Sequence, residues 1–179
     1  MRWAELYWKI EIPNNPVEEI AVISVRKTIA ARLVELKTTI PHYYIQVDIN
    51  MDQAIKVREE LNQLEKENGV KISINDFIMR ATAMASRDYP DANVQWGEKT
   101  IKKYKYVDLA MAVATEKGLI TPIIFRADTK GLLEIAKASK DLAKRARESK
   151  LLPQEFQGYW VTYVGRNVFS EQLGYVWCH

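Results

Sequence analysis

The sequence predicts a mixed α/β domain, with helices packed on a mixed sheet. Stretches of helical spacing and stretches of strand spacing follow one another without strict alternation, which argues against a purely parallel sheet. The 179 residues are 47% hydrophobic and 27% charged, with only 7 Gly and 6 Pro, a balance that excludes disordered and collagen-like chains. That length suffices for one domain with a core of its own. A single cysteine, Cys178, excludes a disulfide framework. The 26 basic and 23 acidic residues leave a charge of +3, too small and too evenly spread to point to a nucleic-acid partner. Leu109–Ala114, the longest apolar run, is far too short to span a membrane. Residues 1–12 carry neither a secretory signal nor the composition of a transit peptide. These observations lead to the expectation of a soluble intracellular domain.

Residues 1–22 read as an extended arm, because Pro13 and Pro16 oppose a helix there. Trp3, Leu6, Tyr7 and Trp8 are costly to leave in water and suggest that the arm packs against something, such as a neighbouring subunit. From Ser24, a plausible N-cap, Val25, Ile29, Leu33 and Leu36 recur at helical steps until Pro41 stops the run. Tyr43, Ile45, Val47 and Ile49 then alternate with polar residues, the pattern of a strand with one apolar face. Asn50 or Asp52 can cap the next helix, Gln53 to Asn68, with Ile55, Leu61 and Leu64 inward and Gly69 at its left-handed stop.

Ser73 and Asn75 open another helix, expected to bury Phe77, Ile78, Ala81, Met84 and Ala85 and to end near Tyr89-Pro90. Strand patterns follow at 92–96, 100–104, 107–115 and 119–125, with turns at Gly97 and at Glu116-Lys117-Gly118. Thr129 is the expected cap of a long helix over 132–150, closed by Leu152-Pro153.

Local motifs carry little chemistry. His42, His179 and Cys178 cannot complete a metal site, and His42 at the head of a strand pattern reads as structural. Glycines occur singly, so no phosphate-cradling loop is present. Lys137, Lys140, Lys144, Arg145 and Arg147 are interleaved with Asp141 and Glu148, as on a solvated helix face.

Longer motifs reach further. SVRKTIAARLVEL at 24–36 and IPHYYIQVDINMD at 40–52 strongly resemble the catalytic domain of the dihydrolipoamide acyltransferases, which form the core of 2-oxoacid dehydrogenase complexes. VREEL at 57–61, KISINDFI at 71–78, VDLAMAVATEKGLITPII at 107–124 and LAKRARESKLLPQEFQG at 142–158 continue the resemblance in order. IPHYY followed by VDINMD is most similar to the acetyl-transferring, pyruvate-complex branch.

The resemblance implies a chloramphenicol-acetyltransferase-like fold, trimers that build a cubic or dodecahedral core, and acetyl transfer from dihydrolipoamide to coenzyme A. Coenzyme A, or acetyl-CoA, is then a substrate, and the lipoyl group comes from a separate domain. Lipoyl domains and the other dehydrogenase components are the implied partners. The compartment is the mitochondrial matrix in a eukaryote and the cytoplasm otherwise. Arg58 of VREEL and Ser73 of KIS fall where the family holds coenzyme A, although their residue types alone fit a helix-surface Arg and an N-cap Ser equally well. The family's catalytic His-x-x-x-Asp-Gly motif and its oxyanion-holding Ser-Asn-Leu-Gly motif are absent from residues 1–179.

On this reading 23–158 is a partial catalytic domain, incomplete at its C-terminus, and 159–179 is an aberrant tail. Suitable synonymous codons for Arg166–His179, read one base later, encode GTFSVSNLGMFGV, a family-like continuation, so a frame shifted by inserted sequence at 159–165 is one account of the tail and a genuinely divergent tail is the other. Loss of the family's remaining strands would leave 109–115 and 119–125 with open ladders. The polypeptide as given is then expected to be inactive alone. Its alternatives are a non-catalytic structural or interaction subunit of the core and a non-functional truncated product.

Overall fold

The structure, a computed structural model, describes residues 17–41, 43–97, 99–116, 118–156, 162–164 and 176–177. The arm aromatics Trp3 to Trp8, His42, Cys178 and His179 lie outside the described residues. Two compact units divide the chain, Met1–Gln46 and Val47–His179.

Within the first unit, helix α1 spans Ser24–Thr39. Ile23 rather than Ser24 holds the N-cap position, with no side-chain cap. Ser24 is instead the first helical residue, and its carbonyl accepts the Thr28 hydroxyl at 3.1 Å. The helix stops where Pro41 forces Ile40 into extended geometry, φ −107° and ψ 123°. Beyond it, Lys37 hydrogen-bonds to the Tyr44 hydroxyl and its ammonium lies over the Tyr44 ring, 4.9 Å from the centroid. The expected strand at 43–49 does not form. Its alternating side chains stay exposed, because a strand exists only where a second one supplies the ladder.

In the second unit, α2 spans Asp52–Leu64, with Met51 at the N-cap position and the Asn50 carboxamide oxygen accepting from the Asp52 N–H at 2.9 Å. The chain leaves α2 through a turn that ends at Gly69, whose φ of +66° matches its expected role. Leu64, expected inside, is 76% exposed, because the helix ends before that turn can pack. Helix α3 spans Ile74–Asp88 and α4 spans Leu132–Arg147. Hairpin β1–β2 pairs Val94–Trp96 with Ile101–Lys103, around a turn in which the Gly97 N–H reaches the Thr100 carbonyl at 3.0 Å. A Cβ at Gly97 would stand 2.8 Å from that carbonyl oxygen, so the turn requires glycine. Each longer strand pattern splits in two: 107–115 yields β3 (Leu109–Met111) and β4 (Val113–Thr115), and 119–125 yields β5 (Gly118–Ile120) and β6 (Ile123–Ile124).

Strand β3 is not open at its edges. It runs antiparallel to β6, with Leu109 opposite Ile124, and parallel to β7 (Thr162–Val164), with Ala110 opposite Tyr163. Strand β8 (Val176–Trp177) pairs antiparallel with β7, giving the order β6-β3-β7-β8, while β4 and β5 form a separate hairpin. The sheet is therefore mixed, as the irregular alternation of patterns predicts. The ladder groups of 109–111 meet partners drawn from 162–164, against the expectation of an open edge.

The core collects Met79 and Ala83 of α3, Val107, Leu109, Met111, Val113 and Ile124 of the strand region, and Ile135, Leu142 and Ala146 of α4. Burying each large member is worth about 1.5–3 kcal/mol. On α4 the buried positions are 135, 136, 139, 142 and 146, an inward stripe at steps of three and four with Ala136 beside Ile135. On α3 the buried positions are 74, 76, 79, 83 and 86, so the helix is turned from the expected face. Ala81 and Ala85 are exposed, and Phe77, Ile78 and Met84 are only partly covered. An apolar stripe marks the core side only when the opposite side is polar, and α3 carries Met79 and Ala83 there.

Candidate functional site

The two residues singled out for ligand binding lie on either side of one local junction, between α2 and α3. Asn62 makes that junction. Its carboxamide nitrogen donates to the Ile72 carbonyl at 3.0 Å, and its oxygen accepts the Ile72 N–H at 2.7 Å. Both backbone groups of a residue 1% exposed are thereby satisfied. Arg58 stands one helical turn before Asn62, and Ser73 follows Ile72 directly. Arg58 therefore lies mid-way along α2, one turn from the Asn62 clasp, and Ser73 lies immediately after that clasp.

The Arg58 side chain is under a third exposed, and its Nε is buried without a hydrogen-bond partner among the described residues. The approach of its guanidinium to Glu59, at 3.9 Å, is too long for a hydrogen bond. An anion of matching fork geometry can meet the terminal Nη donors of such an arginine, whereas this Nε has no surface to offer it.

Ser73 sits in a capping box. Its Oγ accepts the Asp76 N–H at 3.3 Å, and Asp76 Oδ2 accepts the Ser73 N–H at 2.7 Å. The hydroxyl also donates to Asp76 Oδ2 at 2.7 Å. From α4, Ser139 donates to Asp76 Oδ1 at 2.8 Å. Asp76 is 3% exposed, and its carboxylate gathers three donors from two elements. The spacing Ser-x-x-Asp marks this box in the sequence. Asn62 has no comparable signal, because its partner lies ten residues away.

A second polar cluster braces the strand that follows. Asp128 Oδ1 accepts the Val107 N–H at 3.1 Å, and Asp108 Oδ1 accepts the Arg126 N–H at 2.7 Å. Arg126 adopts φ 50° with its guanidinium 4.3 Å from the Tyr106 ring centroid. Arg80 donates to the Asp128 carbonyl at 3.1 Å. These groups satisfy one another and hold the backbone rather than facing a ligand.

The basic face of α4 borders a shallow cleft of about 270 Å³ lined by Gly69, Val70, Lys137, Lys140, Asp141 and Lys144. The Asp141 carboxylate is engaged by Arg145 Nε at 2.7 Å. The same guanidinium forks onto both Glu155 carboxylate oxygens at 2.6 and 2.7 Å. Among the described residues, no group of three His, Cys, Asp or Glu side chains is placed to hold a metal ion, and no helix is long and apolar enough to cross a membrane.

Residues 14–164 match the model of the 2-oxoacid dehydrogenases acyltransferase (catalytic domain) family. The mitochondrial dihydrolipoyllysine-residue acetyltransferase component of the pyruvate dehydrogenase complex of Caenorhabditis elegans is 48% identical over 163 residues, 89% of this chain and 32% of that protein. The corresponding component of Rickettsia bellii is 46% identical over 147 residues, covering 82% of this chain and 33% of that protein. The chain therefore spans about a third of the length of the curated relatives it matches. Among solved structures, the dihydrolipoamide acetyltransferase of Azotobacter vinelandii superposes with a TM-score of 0.79 at 21% identity, over 91% of this chain and 79% of that one. The cubic core of the pyruvate dehydrogenase multienzyme complex gives 0.78 at 22% identity, over the same shares. Those likenesses establish the fold, and the family match establishes the kinship: this chain belongs to the 2-oxoacid dehydrogenase acyltransferase family, as a member of its catalytic domain.

Proposed function

We propose that this chain is part of the core domain of a pyruvate-dehydrogenase-type complex, whose reaction moves acetyl groups between dihydrolipoamide and coenzyme A. The observation that carries the reading is the 48% identity to an acetyltransferase component over 163 residues. Arg58 and Ser73 are assigned to coenzyme A from the resemblance of VREEL and KIS to the family's motifs, and the long 3.9 Å approach of the Arg58 guanidinium to Glu59 is consistent with that assignment.

In the proposed reaction the coenzyme A sulfur attacks the thioester carbonyl of acetyl-dihydrolipoamide. A carbon–sulfur bond to coenzyme A forms as the bond to the lipoyl sulfur breaks. The thiol proton passes through a general base to the leaving lipoyl thiolate. Such a step needs a base of near-neutral pKa and a preorganised donor for the oxyanion. Residues 1–179 contain neither the His-x-x-x-Asp-Gly nor the Ser-Asn-Leu-Gly motif, so Arg58 and Ser73 are assigned to holding the substrate and not to moving its proton.

Trimers building a larger core, with lipoyl domains and the other dehydrogenase components as partners, belong to the same reading. The fold shared with a cubic pyruvate dehydrogenase core supports it. The compartment is the mitochondrial matrix in a eukaryotic source and the cytoplasm in a bacterial one. Titration of coenzyme A into the chain, with sedimentation analysis of its assembly, tests the proposal. Saturable binding by a trimer or larger particle is expected. A monomer without affinity for coenzyme A overturns the proposal.

A further inference from the structure

We propose that Asp76 is a positioning residue that turns the Ser73 hydroxyl into a pure acceptor, selecting an amide N–H or hydroxyl of the pantetheine arm and leaving the phosphates to Arg58. This inference rests on the reading that coenzyme A lies against Arg58 and Ser73.

A serine hydroxyl has one proton and two lone pairs. At Ser73 the proton points to Asp76 Oδ2, and one lone pair accepts the Asp76 N–H. One acceptor site is left. A phosphate oxygen, itself an acceptor, finds nothing there to receive. An amide N–H or a hydroxyl does, and the pantetheine arm carries both. The proton is held in place from both sides of the carboxylate: the Ser73 N–H shares Oδ2, and Ser139 of α4 occupies Oδ1. Arg58 is complementary in the other sense, a donor-only group whose guanidinium comes no closer to Glu59 than 3.9 Å. Asn62, one helical turn after Arg58 on α2, clasps Ile72, the residue before Ser73, and so ties the two segments together.

The wiring distinguishes two substitutions at Asp76. In Asp76→Asn the oxygen must remain beside Ser73, where two donors converge. The new amide then faces Ser139, whose hydroxyl keeps the Ala136 carbonyl at 3.1 Å as its acceptor. Ser73 is unchanged by that substitution. In Asp76→Ala the hydroxyl loses its acceptor and is free to turn its proton toward a ligand.

The test is calorimetric titration of the whole chain with coenzyme A, with pantetheine, and with the adenosine bisphosphate half of coenzyme A. Far-ultraviolet circular dichroism of every variant serves as the folding control. Ser73→Ala should weaken coenzyme A and pantetheine about five- to tenfold, the scale of one hydrogen bond, and leave the adenosine bisphosphate within twofold. Arg58→Ala should do the reverse. Ser73→Thr and Asp76→Asn should bind as the parent does, and Asp76→Ala should lose pantetheine affinity with Ser73→Ala. If Ser73→Ala weakens the adenosine bisphosphate as much as pantetheine, the inference is overturned while the coenzyme A reading stands. If neither Ser73→Ala nor Arg58→Ala alters coenzyme A binding, that reading fails and takes the inference with it. Should Asp76→Ala not fold, Asp76→Asn decides, because a loss of pantetheine affinity there equal to that of Ser73→Ala contradicts the positioning role.

Discussion

Ser139 donates its hydroxyl to Asp76 across 63 positions of sequence, with 2.8 Å between Oγ and Oδ1, and so ties α4 to the first turn of α3. The other carboxylate oxygen closes the capping box with Ser73. Asp76→Ala removes the acceptor for both hydroxyls and one N–H, and should lower stability by ~2–3 kcal/mol. Asp76→Asn, which keeps an acceptor toward Ser73, should lower it by less than ~1 kcal/mol. Urea unfolding of the two variants measures the difference.

Asn62→Ala strands the N–H and C=O of Ile72 in the interior. Leaving two buried groups unpaired should cost ~2–4 kcal/mol. Asn62→Leu, similar in size, should be no better, since the loss lies in the hydrogen bonds and not the packing. Chemical denaturation of both variants checks this.

The face of α3 that makes the core has a direct consequence. Met79 is fully buried, so Met79→Ala should cost ~2–5 kcal/mol. Ala81, on the expected but exposed side, should tolerate Ser within ~0.5 kcal/mol. Equal effects at the two positions would contradict the observed rotation of the helix.

Glu155 supplies a pH dependence. The Arg145 guanidinium, and after it the Leu152 N–H, hold its carboxyl below the usual carboxylate range. A carboxyl with a folded pKa below its unfolded one contributes stability above the unfolded value, about 4.3, that is lost as pH falls through the folded value. Thermal melts of Glu155→Gln should therefore lie below those of the parent at pH 7 and converge with them below about pH 4. A constant gap across that range would mean that the Arg145–Glu155 fork does not stabilise the fold through its charge.

Local chemistry was legible in the sequence and distant pairing was not. Pro41 ending α1, Gly69 in the left-handed region and Ser73 capping α3 follow from conformational preferences of single residues. Thr129 shows the limit of such reading. Its hydroxyl turns back to the Arg126 carbonyl at 2.9 Å, while Gly131 holds the N-cap of α4 and the Glu134 carboxylate accepts its N–H at 2.7 Å. The 43–49 segment has the alternation of a strand without a neighbouring ladder, and alternation records only which side chains share a face. At the candidate site, Arg58 and Ser73 were found through long motifs, and Asp76 lay within reach of the Ser-x-x-Asp spacing. The Asn62 clasp that sets them together depends on tertiary closure, and no short pattern encodes it.

The central claim is that the α2–α3 junction holds coenzyme A through Arg58, and titration of coenzyme A into the chain and its Arg58→Ala variant tests it most directly. Loss of charge-assisted hydrogen bonds should weaken binding at least tenfold, with the far-ultraviolet circular dichroism of the folded parent retained. Equal affinities for the two proteins, or no binding to either, would contradict the claim.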